Sequence, residues 1–285
     1  MSEAAIFDRR AVRLHRDRAA SLVAHVAPIL DAVAERLLDR LDDTTHRFTR
    51  ALDIGGRGVV APRLTARGIE TISCDLSAAM LVGAPGLRVA ADEECLPFAE
   101  GCFDLVVASL SLHWVNDLPG TFAQIRHILR PDGLFLAALP VLPTAAPLRE
   151  ALIAAESDLS GGAAPRISPY PRLHDAAALM QRAGFALPVV DTDRLALAWR
   201  RPDSLLRDLR CAGETNALRL REQRPLDPGA FAAAFASLLG EDATVPLDLH
   251  LAMLTGWAPA PGQPKPLAPG AFDTPLGAAL GDTTE

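Results

Sequence analysis

Three carboxylates and a run of glycines are spaced to hold a ligand. Asp53 closes the apolar run Arg50-Ala-Leu-Asp53 and is followed by Gly55, Gly56 and Gly58; Asp75 and Asp92 close two further apolar runs, with Leu76 and Glu93 next to them. Glycines in a turn between strand and helix let a ligand approach the backbone closely. Gly56-Arg-Gly58-Val-Val-Ala61 formally matches a dinucleotide fingerprint, but a carboxylate at the mouth of the loop repels a pyrophosphate and suits an ammonium group. The implied ligand is a cationic, phosphate-free nucleoside, S-adenosyl-L-methionine, in preference to a nicotinamide dinucleotide. Asp75 is placed to accept both ribose hydroxyls, and Asp92, with Glu93 or Glu94 beside it, to accept the adenine amino group. Ser109 ends a fourth apolar run, and His113 and Trp114 follow it where the reactive end of such a ligand would lie. His113 could serve as a general base or orient a substrate nitrogen or oxygen. No His/Asp/Glu spacing specifies an iron site, and there is neither a nucleophile elbow nor a phosphate loop.

These residues need a frame, and the apolar pattern supplies one. Strands are predicted at Phe48 to Asp53, Ile69 to Cys74, Leu87 to Ala91, Cys102 to Ser109 and Gly133 to Ala138. Helices are predicted between them at Val59 to Arg67, Ser77 to Val82 and Leu118 to Leu129, the last stopped by Pro131. Such alternation implies a parallel sheet with right-handed crossovers, and ligands there lie beyond the carboxyl ends of the strands. Two helical segments precede the sheet, with Arg9, Arg10, Arg13, His15, Arg16 and Arg18 on the first. Those arginines read either as a solvated face or as a basic lid over a bound substrate. Further on, helices are expected at Ala145 to Leu159, His174 to Ala183, Ser204 to Leu209 and Pro228 to Leu239, and strands at Leu187 to Trp199 and Leu247 to Trp257. The expected division is an N-terminal helical lid (1–45), a nucleoside-binding core (46–140), the rest of the fold with helical substrate-side insertions (141–258) and a proline-rich tail (259–285).

Composition narrows the setting. With 285 residues, 49 % of them hydrophobic, the chain can bury one large α/β core. A net charge of −7, with Lys265 the only lysine, gives no global attraction for nucleic acid or anionic lipid. Cys74, Cys95, Cys102 and Cys211 form no Cys-x-x-Cys pair, which points to reduced thiols. No run reaches the length of a membrane span, and the N-terminus lacks the apolar segment of a secretory signal. The expectation is a cytoplasmic protein of undetermined oligomeric state.

Asp92-Glu-Glu-Cys-Leu-Pro-Phe98, Phe103-Asp-Leu-Val-Val107 and Ile128-Leu-Arg-Pro-Asp-Gly133 resemble the body of class I S-adenosylmethionine-dependent methyltransferases. A narrower likeness is carried by Ile6-Phe-Asp-Arg9, Ser109-Leu-Ser-Leu-His-Trp-Val-Asn-Asp-Leu-Pro119, and Gly256-Trp-Ala258 with Lys265-Pro-Leu. These segments resemble the bacterial relatives of mitochondrial complex I assembly factor 5 and, more distantly, the malonyl-carrier-protein methyltransferase of biotin synthesis. The resemblance implies a Rossmann-like fold with a mostly parallel seven-stranded sheet, helices on both faces, N-terminal helices and C-terminal additions. It implies cofactor contacts at Asp53, Gly55, Gly58, Asp75, Met80, Asp92 and Ser109. It further implies a protein substrate, for which a complex I subunit modified on arginine is the candidate. An O-methyltransferase acting on a small or carrier-bound acid, and a non-catalytic assembly factor, stand as alternatives. Two departures are visible: the loop Asp53-Ile-Gly-Gly-Arg-Gly58 is one residue shorter than the family pattern, and Arg57 stands where a small residue is usual.

Overall fold

The computed structural model describes residues 5–240 and 242–264. Its centre is β4 (Phe103–Ser109), whose seven residues are all buried, as expected for a strand covered on both faces. Around it runs a seven-stranded sheet in the order β3 (Leu87–Ala90), β2 (Glu70–Asp75), β1 (Arg50–Ile54), β4, β5 (Leu129–Pro140), β9 (Leu249–Trp257) and β6 (Ala186–Leu195). The first five strands are parallel, whereas β9 runs antiparallel between β5 and β6. The order reverses between β1 and β4, which sets the ligand crevice beyond Asp53 and Ser109.

Side-chain alternation divides the core. On one face α2 (Ala27–Leu38) and α3 (Val60–Ala66) bury Leu30, Val33, Leu37 and Leu64 against Ala51, Leu105, Val107 and Leu136. On the other, α4 (Leu118–Ile128) and α6 (Leu173–Arg182) bury Phe122, Ile125 and Met180 against Leu52, Ile54, Val106 and Phe135. A smaller cluster joins α5 (Ala146–Ser160), α7 (Pro202–Ala212) and α8 (Pro228–Leu238) to the ribbon of β7 (Ala198–Trp199) and β8 (Val245–Pro246). Finally α1 (Arg9–Ala19), capped by Asp8 accepting from Ala11 N at 3.1 Å, lays Phe7, Ala11 and Val12 on Trp114, Ala217 and Leu218.

The expected architecture is present, with local differences. Ser77 to Val82 forms turns instead of a helix: Ser77 Oγ accepts from Met80 N at 3.2 Å, but Gly83 and Pro85 follow before a helix can propagate. Strand five begins earlier than predicted, at Leu129, and its register against β4 slips across Pro131, which has no N–H for the ladder. Leu187 to Trp199 splits into β6 and β7, which belong to different sheets. Of the proline-rich tail (259–285), residues 259–264 form a loop with a turn, and the remainder, with Lys265-Pro-Leu, lies outside the described residues.

Where β9 crosses α6, a side chain has no room. A Cβ on Gly256 would stand 2.4 Å from Met180 Cε and 3.1 Å from the Phe185 ring. Gly256→Ala is therefore expected to cost about 1–3 kcal/mol by overpacking, read as a lower urea midpoint with an unchanged slope.

Candidate active site

The glycine turn is built around Asp53. Its Oδ2 accepts from Ala61 N at 3.1 Å, so the carboxylate folds back onto the start of α3, and a Cβ at Gly56 would collide with it at 2.1 Å. The other oxygen, Oδ1, is buried and has no hydrogen-bond partner among the described residues. Burial pushes the Asp53 carboxyl up to about 7; nearby Asp75 adds to this, and the Ala61 amide and the adjacent Gly56 amide, the latter outside good hydrogen-bond geometry, work against it. Gly55 and Gly58 hold φ of +66° and +82°, and the Gly58 Cβ position has no atom within 4 Å, so this part of the turn is a cradle open to a ligand. Gly58→Ala is expected to lower stability by only about 1–2 kcal/mol. Its effect on cofactor affinity is expected to be roughly tenfold or more, because the added methyl fills ligand space, and calorimetric titration with S-adenosylhomocysteine checks it.

Beyond β2 and β3 the acids meet arginine. Asp75, 1 % exposed, accepts from Ser77 N at 2.7 Å and from Arg16 Nη1 at 3.3 Å through the same Oδ1; its Oδ2 is buried without a partner among the described residues. Glu93, fully buried, accepts from Arg16 Nη1 at 2.6 Å and pairs with Arg9. Burial alone would raise its carboxyl, yet Arg16 and Arg9 bring it down to about 2. Asp92 takes both Arg9 Nη2, at 2.6 Å, and Arg9 Nε, at 3.3 Å, while Arg9 Nη1 donates to the Trp114 carbonyl at 3.0 Å. Glu94 accepts from Asn116 N at 2.6 Å. The basic helix therefore has two faces: Arg10, Arg13 and Arg18 are exposed, and Arg9 and Arg16 neutralise the acids of the crevice. Leu76 packs beneath α1, Met80 is buried beside Ser77, and Ser109 Oγ is a third buried atom with no partner among the described residues.

The His113 end of the site is organised by a residue that the sequence did not single out. Glu214, in the turn that follows α7, accepts from His113 Nε2 and from Trp114 Nε1, each at 2.8 Å, through one oxygen, and from Arg57 through the other. Arg57, at φ +49°, also donates to the Leu110 carbonyl at 2.9 Å. Burial opposes the Glu214 charge, but His113 and Arg57 hold its carboxyl below the usual carboxylate range. These groups head a cavity of about 450 Å3 whose walls are mostly apolar, among them Leu148, Ile167, Trp199, Leu206 and Phe231. Tyr170 lies at the same end, its ring 6.2 Å from that of His113, with its hydroxyl pushed up by burial and by Glu214. Arg57 and Glu214 are 157 residues apart, so no local spacing could pair them. The only sequence signal was the arginine itself, a large cation in a glycine turn that must find an acid.

A seven-stranded sheet with one reversed strand, a glycine turn after β1 and acids after β2 and β3 define a class I S-adenosylmethionine-dependent methyltransferase, and the chain belongs to that family. Residues 52–137 match the family model described as a methyltransferase domain. The chain is 38 % identical over 274 residues to the mitochondrial arginine-hydroxylase NDUFAF5 of Danio rerio, covering 92 % of this chain and 85 % of that protein. It is 32 % identical over 269 residues to the malonyl-[acyl-carrier protein] O-methyltransferase of Xylella fastidiosa (strain M23), covering 89 % of each. Among solved structures, the YcgJ protein from Bacillus subtilis superposes with a TM-score of 0.56 at 16 % identity, over 79 % of this chain and 98 % of that one.

The crevice fits the family's cofactor, S-adenosylmethionine. The unpartnered Oδ2 of Asp75 suits a ribose hydroxyl, the unpartnered Oδ1 of Asp53 suits an ammonium group, and the Gly58 Cβ position is open space. When bound, this cofactor supplies an electrophilic methyl group on a sulfonium leaving group. What the chain contributes is alignment and exclusion of water, together with an imidazole at the head of the cavity.

Proposed function

We propose that the protein modifies a side chain of a protein partner, with an arginine of a respiratory complex I subunit as the target, in the cytoplasm. The observation that carries this reading is the near full-length likeness to arginine hydroxylases, 35–38 % identity in four vertebrate relatives. Supporting it is a cavity headed by His113, Arg57 and Glu214 next to the cofactor crevice. In this reading residues 1–45 form a lid, Asp53, Asp75 and the glycine turn hold the cofactor, and His113 with Trp114 faces the substrate. No described helix is long and apolar enough to cross a membrane, so the lid and cavity would meet a partner's exposed segment.

Mass spectrometry of the complex I subunits from wild-type and deletion strains tests this. The expected result is an arginine that carries one added oxygen, or one added methyl group, only in the wild type. An arginine of the same mass in both strains overturns the assembly reading. The apolar walls of the cavity favour a second reading, O-methyl transfer to a carrier-bound acid, as the name of the Xylella relative describes for that protein. Transfer of labelled methyl to malonyl-loaded carrier protein would decide for it.

A further inference from the structure

Glu214 is contributed from outside the nucleoside-binding core, yet it contacts three groups of the reactive end at once. It follows Gly213, which caps α7 at φ +75°, and its amide donates to the Leu209 carbonyl at 2.8 Å, so the backbone that presents it is pinned. An ionised carboxylate only accepts hydrogen bonds. The 2.8 Å contact with His113 therefore requires the proton to sit on Nε2 of the ring. That leaves Nδ1 as the other ring position, and it is buried with no partner among the described residues. In the neutral ring the lone pair is then on Nδ1.

We propose that Glu214 is a positioning residue: it fixes His113 as the Nε2–H tautomer with the lone pair left on Nδ1, and through Arg57 it ties that orientation to the glycine turn of the cofactor site. Two features of the site fit this role. The same Glu214 oxygen also holds the Trp114 indole, so imidazole and indole are locked as one unit, their ring centres 5.3 Å apart. Arg57, with its side chain 1 % exposed, brings a fixed positive charge from the turn to Glu214, and that charge keeps the carboxylate from taking the proton itself. An arginine in this turn, which at first sight only crowds a cofactor loop, thereby connects the loop to the substrate cavity. The inference rests on the reading above for one point, that the cofactor is seated on the glycine turn. Its tautomer measurement uses neither substrate nor cofactor, so either can fail without the other.

The test is nitrogen-15 NMR of the imidazole and indole groups in the full chain. In the wild type the His113 ring is expected as the Nε2–H tautomer, favoured roughly tenfold or more by its bond to an ionised carboxylate. The Trp114 indole proton is expected to be shifted downfield of that of Trp257, as is that of Trp199, which donates to Asp208 at 2.7 Å. Adding S-adenosylhomocysteine, which in the reading above lies on the turn holding Arg57, is expected to move both signals. Glu214→Gln alone leaves Arg57 buried without its acid and is at risk of misfolding. The double variant Arg57→Gln/Glu214→Gln removes both charges together, and its fold is checked by circular dichroism. In it the tautomer preference is expected to fall by at least roughly fivefold and, at S-adenosylhomocysteine concentrations that calorimetry shows to saturate the variant, the response at Trp114 to be lost. An Nδ1–H tautomer in the wild type, or an unchanged tautomer ratio and Trp114 response in the folded double variant, overturns the proposal.

Discussion

Arg16→Met is expected to lower the unfolding free energy by about 3–5 kcal/mol, because removing one partner of a buried ion pair leaves the other charge uncompensated. Few single changes in this chain would cost more. Glu93 is fully buried and Asp75 nearly so, and both rely on the Arg16 guanidinium. Urea unfolding at neutral pH reads the loss. A double variant, Arg16→Met/Glu93→Gln, separates its cause from simple loss of packing: it is expected to recover about half of the deficit or more, since the buried Glu93 carboxylate, left with Arg9 as its one cation, is then removed. The same pair sets an acid limit. The Glu93 carboxyl lies at about 2 in the folded chain against an ordinary 4.5. The stability it contributes is present in full above pH 4.5 and is lost as pH falls through about 2. Wild-type protein should therefore lose stability more steeply over that acid range than the double variant, in which Glu214 still contributes a slope of the same sign. Equal stabilities of Arg16→Met and wild type would mean that α1 is not held by these charges.

Asp53→Asn is expected to separate stability from cofactor affinity. The Asp53 carboxyl rises to about 7 on folding from an ordinary 3.8. Between those values the folded chain holds the proton more tightly than the unfolded one, so this group's contribution to stability declines as pH rises through the window. A cationic ligand reverses the preference, because the ionised form attracts it. Affinity for S-adenosylmethionine is expected to rise roughly tenfold between about pH 5.5 and about pH 7, below the titration range of an α-amino group. Asp53→Asn flattens that rise and lowers affinity at neutral pH, while removing the cost of a buried charge, so the variant is as stable as the wild type or more so at pH 8. Calorimetric titration at the two pH values checks the first part and urea unfolding the second. A wild-type affinity independent of pH would detach Asp53 from the ligand's positive end.

The parts of the fold that were legible in the sequence are those written in local periodicity. Buried parallel strands such as Phe103–Ser109 are continuous apolar runs, and helices such as Leu118–Ile128 carry their own start and stop signals. The placing of Asp53, Asp75 and Asp92 at strand ends follows directly from that. Their partners do not. The sequence offered Arg9 to Arg18 as one basic stretch, and only the docking angle of α1 decides that Arg9 and Arg16 face the acids while Arg10, Arg13 and Arg18 face solvent. Glu214 was invisible for a related reason: it lies in an unremarkable turn, and its importance comes from where α7 is carried by packing against the core. The Ser77 turn shows the opposite failure, a good capping residue without enough helix-forming chain after it.

The stretch from Glu214 to Arg221 joins two ends of the molecule. One end of it supplies the carboxylate at the reactive centre; a few residues on, the Ala217 carbonyl accepts from Asp8 N and Arg219 N donates to the Ile6 carbonyl, each at 2.8 Å, with a bridge between Phe7 and Leu218. A connector with both ends committed has no slack. Inserting or deleting a residue there would shift Glu214 and the N-terminal helix in the same stroke, so evolutionary length changes in this lineage are expected to collect in other loops and to spare this one.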